Sequence, residues 1–149
     1  MLRSLLAAVH LLALGIGLGA VWARGRALRE PLDAQGFRRV FEADAWWGVA
    51  AILWLVTGLW RLLAGTEKAT AYYMVNHLFW GKMVLFVLIL ALELAPMIAL
   101  IRWRRMVTAG QAPDASRAAG YARTSFIEAF LVALMVLVAT AMARGYGAR

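Results

Sequence analysis

An all-α integral membrane protein, built as one four-helix bundle over residues 1–149, is what the amino-acid sequence predicts, on three grounds. Hydrophobic residues make up 64% of the chain and mean hydropathy is +0.72, whereas the apolar share of a soluble domain is about 45–50%. Four apolar segments, at residues 4–23, 45–63, 77–101 and 124–143, each come close to the roughly 20 residues that carry a helix across a bilayer core. No Gly-, Ser- or Pro-rich stretch is long enough to link two domains.

The first segment follows Arg3 and contains "AAVHLLALGIGLG". Arg3 and the small-residue ending Val21-Trp22-Ala23 would also fit a signal peptide, but the run is long, and a retained helix is expected. The second has the shortest uncharged run, Ala45 to Trp60, with Trp46, Trp47 and Trp60 as interfacial anchors. Ahead of the third, "TEKATAYYMVNHLFWGK" places Tyr72, Tyr73, Asn76, His77 and Trp80 in an aromatic belt at the membrane surface. The fourth is apolar apart from Glu128 and a few hydroxyls.

The formal charge of +8 comes from arginines grouped between the apolar segments, where lipid head groups meet them, so the lipid bilayer and not nucleic acid is the expected partner. Arg24, Arg26, Arg29, Arg38 and Arg39 precede the second segment, and Arg102, Arg104, Arg105, Arg117 and Arg123 precede the fourth. Only Arg3, Arg61, Lys68, Arg144 and Arg149 lie on the other side, so both termini are expected on the periplasmic or exterior face of a bacterial cytoplasmic membrane. Within the first loop, Leu32, Phe37, Val40 and Phe41 alternate with charges, which predicts a short amphipathic helix on the cytoplasmic surface.

With no cysteine, thiolate metal sites are excluded, and with only two histidines a zinc or copper site would have to use His10, His77 and carboxylates at distant depths; no nucleotide loop or Ser-His-Asp set is present. Function therefore rests on ionisable residues inside the membrane, each costing roughly 2.5–3.5 kcal/mol on insertion scales. These are His10, Lys82, Glu93 and Glu128. Lys82 and Glu93 are eleven residues apart, within about 20° of one helix face, on a stripe with Phe86, Ile89 and Met97 that should face the bundle interior. Counting about 1.5 Å per residue, His10 and Lys82 share an outer level, and Glu93 and Glu128 an inner one. On His10's own face, Ala13 and Gly17 leave a groove that could take a flat ligand or a packed helix. Each residue has a structural alternative: His10 bridging helices, Lys82 snorkelling, Glu93 held by Thr or Trp donors, Glu128 paired with Arg123 or Arg102.

Over nearly its whole length, in "LLAAVHLLALGIGLGAVW", "FEADAWWGVAAILWLVTGLWR", "KATAYYMVNHLFWGKMVLFVLILALE" and "MVLVATAMARGYG", the chain resembles a family of small four-helix bacterial membrane proteins of unknown function. More distantly, the first and third helices are similar to the HemJ-type protoporphyrinogen oxidases. That second resemblance implies haem b bound through His10 as axial iron ligand, and a lysine needed for activity at Lys82 within "FWGKMVLF". The later helix-three histidine of HemJ-type proteins has no counterpart after His77, so a second ligand would be His77 or come from another subunit, or the iron would be five-coordinate. The expected site is thus Lys82 and Glu93 as catalytic groups, with His10, Gly17, His77 and Lys82 around a tetrapyrrole or quinone-type molecule; an enzyme of this kind would be a haem-dependent membrane oxidoreductase. Two other readings stand beside it: a packing subunit of a membrane complex or homo-oligomer, and a small transporter formed by several copies.

Overall fold

The computed structural model describes residues 1–64 and 70–147, without the side chains of residues 2, 3, 70 and 72. Lys68 and Arg149, and the side chains of Arg3 and Tyr72, which the orientation and belt arguments use, lie outside the described residues. The helices are α1 Leu2–Ala27, α2 Ala34–Leu63, the short α3 Thr70–Met74, α4 His77–Thr108 and α5 Ala118–Ala143. All but α3 are long and apolar enough to cross a membrane, and the described residues contain no strand. The molecule is an all-α four-helix membrane bundle.

The helices outrun their apolar segments. At 1.5 Å per residue, the 30 residues of α2 and the 32 of α4 reach about 45 Å or more, beyond a hydrocarbon core of about 30 Å. Local hydrogen bonding continues the helix where hydropathy stops. The first loop consequently carries no separate surface helix: residues 34–44 are the opening turns of α2, started by Asp33, whose carboxylate accepts from the Gly36 N–H at 2.7 Å. Phe37 and Val40, expected to lie on lipid, are buried with Leu100 and Trp103 of α4 and Ala118 and Ala122 of α5. Their spacing marks an apolar face without saying which apolar medium covers it. Trp47 is likewise in the core and not at an interface, whereas Trp46 and Trp60 are exposed.

Helices α4 and α5 end alike. Gly110 and Gly145 take positive φ, 71° and 90°, and the following residue's N–H returns to the preceding turn, Gln111 to the Met106 carbonyl and Tyr146 to the Ala141 carbonyl. A Cβ at either position would be strained in this cap. Beyond Gly145 the chain folds back: Asn76, fully buried at the start of α4, caps it by accepting from Leu78 N–H and holds the Tyr146 carbonyl with its amide.

Helix α1 packs against both α2 and α5, and α4 packs on α5. Large side chains span the remaining seam between α2 and α4, with Phe37 edge-on to Trp103 and Trp54 edge-on to Phe86, each pair 5.8 Å apart. Along the axis the interior is layered. One apolar layer holds Ala27, Phe37, Val40, Leu100, Trp103 and Ala122; a second holds Val21, Trp47, Ile89, Ala129, Val132 and Met135. A charged layer lies between them, and a cavity lies beyond the second.

Candidate functional site

The cavity sits at the end of the bundle where α4 begins and α5 ends, and its volume is about 460 Å³, inside the range of roughly 300–1,000 Å³ usual for small-molecule sites. Its walls are mostly Leu, Met, Phe and Ala from all four long helices, with Trp54, Tyr73, Phe79 and Phe86 contributing rings. His10, Lys82 and Arg61 also line it. His10 and Lys82 thus belong to one site, 72 positions apart in sequence, because α1 and α4 both pack on α5.

His10 is positioned by α2. Its Nδ1 lies 2.9 Å from the Thr57 hydroxyl, and its ring stacks on Trp54 with centroids 5.8 Å apart. Thr57 has one proton, which it gives to the Leu53 carbonyl at 2.6 Å. In a neutral ring the hydroxyl therefore accepts from Nδ1–H, and the imidazole lone pair is on Nε2. Gly58 lets the ring lie this close: a Cβ there would be 3.3 Å from His10 Cε1.

Gly17 and His77 are placed elsewhere. A Cβ on Gly17 would meet Ala50 and Trp47 at 3.3 Å, and Ala13 beside it is buried. The groove expected on this face is filled by α2, since small residues let two helices approach closely. His77 is exposed at the first position of α4, outside the cavity lining, so it supplies no second ligand there. The stripe through Lys82, Phe86, Ile89 and Glu93 faces inward as expected, but Met97 turns out, 40% exposed, and the buried row continues through Pro96, Leu100 and Trp103.

Glu93 does not reach the cavity. It belongs to the charged layer, whose centre is Arg24, a residue expected in the first loop but fully buried within α1. All five N–H donors of its guanidinium are used. Nε donates to Ser125 at 3.0 Å, Nη1 to Asp44 at 3.0 Å and to Glu93 at 2.8 Å, and Nη2 to Glu93 at 2.7 Å and to Glu128 at 2.8 Å. Glu93 is thus gripped by both carboxylate oxygens, the fork geometry in which arginine excels. Asp44 turns its other oxygen to Arg104 at 3.0 Å, and Arg104 also donates to the Phe41 carbonyl and lies over the Phe41 ring. Glu128 pairs with Arg24, not with Arg123 or Arg102.

Sequence reasoning placed Glu93 and Glu128 at one level but missed Arg24, Asp44 and Arg104. One signal was available: Arg24 is fourteen residues after His10, four turns on, and so on the same face as His10, Ala13 and Gly17. Two acids inside apolar helices need a cation, and the first arginine past the apolar run of α1 was on the correct stripe to provide it.

A family model described as "Predicted membrane protein (DUF2214)" matches residues 2–147. Neither a curated protein nor a solved structure matches the chain.

Proposed function

The chain belongs to that membrane-protein family, and on this footing we propose that it binds a flat, largely apolar, acid-bearing cofactor of the haem b kind in the cavity walled by the four long helices. The observation that carries the reading is that His10 and Lys82 line the same apolar cavity. The donor set suits the group. His10 has its lone pair on Nε2 while Thr57 fixes the ring through Nδ1, the outer-sphere arrangement usual for a metal-ligating histidine. Lys82 and Arg61 put cationic side chains at an otherwise apolar wall, where a propionate or another carboxylate would be held in low dielectric.

His10 would hold the iron and Lys82 an acidic edge, with the apolar side chains of the cavity around the rest. Bound there, haem supplies one-electron exchange, with a porphyrinogen or a quinone as the class of partner. With His77 outside the lining, His10 is the one histidine that the cavity presents among the described residues. The arginine bias of residues 26–39 and 102–123 favours a bacterial cytoplasmic membrane with both termini outside. An alternative, packing against a partner's helix, is favoured by Gly15 and Gly19, whose outward faces have no atom within 4 Å of a built Cβ. A transport path is disfavoured by the apolar layer of Val21, Trp47, Ile89, Val132 and Met135 between cavity and charged layer.

Purified in mild detergent, wild-type protein is expected to show a Soret band that His10→Ala abolishes. No band in the wild type, or a band that persists in His10→Ala, overturns the ligand assignment.

A further inference from the structure

Three carboxylates, Asp44, Glu93 and Glu128, face two guanidiniums, Arg24 and Arg104, in the charged layer. Fully ionised, the cluster carries one surplus negative charge, enclosed by apolar layers on both sides. Five of its six carboxylate oxygens have a guanidinium donor. The sixth, Oε1 of Glu128, is buried and has no hydrogen-bond partner among the described residues, and the Glu128 side chain is 0% exposed. A buried carboxylate with a donorless oxygen bears the full desolvation penalty. Glu93 and Glu128 also bond the same Arg24 nitrogen, at 2.7 and 2.8 Å, which sets two like charges side by side. A metal ion does not answer this, since no group of His, Asp or Glu among the described residues has metal-ligating geometry.

We propose that the charged layer is a proton-binding site, with one exchangeable proton on Glu128 that brings the cluster to neutrality. Neutral Glu128 still accepts from Arg24 through Oε2 and presents an O–H at Oε1. The groups facing it are Arg24 from α1, Asp44 from α2, and Glu93 and Arg104 from α4. Exchange with water runs toward Arg104, the most exposed member of the cluster at 39%; the side chains of Asp44 and Glu93 are 17% and 15% exposed, those of Arg24 and Glu128 not at all. The proton is therefore taken up at the end of the bundle opposite the cavity, where α1 and α2 are joined.

Infrared spectroscopy of the full-length protein in lipid nanodiscs tests this without reference to any cofactor. At neutral pH the wild type is expected to show the C=O stretch of an un-ionised carboxylic acid, which shifts in D2O, disappears on titration to alkaline pH and is missing in Glu128→Gln. Because Gln is nearly isosteric with the neutral acid and still accepts from Arg24, Glu128→Gln is expected to unfold at a temperature equal to or above the wild type's. An absent acid carbonyl in the wild type overturns the proposal, as does a band that ignores D2O or survives Glu128→Gln, or a Glu128→Gln chain that no longer folds.

Discussion

All five donors of the Arg24 guanidinium are engaged, and the consequences of changing it follow from how it is held. Removing one partner of a buried ion pair costs about 3–5 kcal/mol because the other charge is left uncompensated, and here Glu93 and Glu128 would both lose their guanidinium donor while Asp44 kept only Arg104. Arg24→Ala is therefore expected to abolish a monodisperse folded species on size-exclusion chromatography in mild detergent. Arg24→Lys keeps the charge but not the fork that grips both oxygens of Glu93 and also reaches Ser125 and Asp44; it should fold with a clearly lowered unfolding temperature. A wild-type-like melting curve for Arg24→Lys would mean that charge alone, without five directed bonds, holds the layer. The acids at this site were legible as anomalies in apolar segments. Their partner was not, because an arginine at the end of an apolar run looks like an ordinary loop residue.

Among the elements, α2 departs most from expectation. Its apolar segment begins at residue 45, yet the helix begins at Ala34, and among the eleven residues between, Phe37 and Val40 enter the core layer against α4 and α5. If Phe37 is a core residue, Phe37→Ala should cost about 3–5 kcal/mol, the range for buried aromatics, read as a shift in denaturant unfolding in detergent. A Phe37 lying on lipid head groups would give almost no shift. At the start of the same helix, Asp33→Ala removes the acceptor for Gly36 N–H and is expected to cost about 1 kcal/mol. The period of hydrophobic residues in this stretch was readable and correctly helical; its burial was not, because lipid, head-group region and protein core all accept the same apolar face.

For the whole molecule, the two candidate sites are separated along the axis: a cavity bearing His10 and Lys82 at one end, an ion cluster around Arg24 toward the other, and an apolar layer between them. Orientation decides which compartment each end meets. The native chain has no cysteine, so single thiols can be introduced at exposed positions at opposite ends of the bundle. Tyr146→Cys is expected to react with a membrane-impermeant maleimide on intact spheroplasts, and Gln111→Cys only after lysis. The reverse pattern would place the cavity on the cytoplasmic side and the proton entrance outside.

Hydropathy, helix length and charge bias are properties of short windows, and the sequence alone was enough to establish a four-helix membrane bundle with an imidazole and an ammonium at one level and two acids at another. Which groups touch is a property of helix packing. The close approach of α1 to α2 at Gly17 turned an expected ligand groove into an interface, and the side chains that bridge the wider seam between α2 and α4 left the cavity open elsewhere. The same packing drew a loop-edge arginine into the middle of three carboxylates. Those outcomes depend on the relative rotation and spacing of helices distant in sequence, which no single segment encodes.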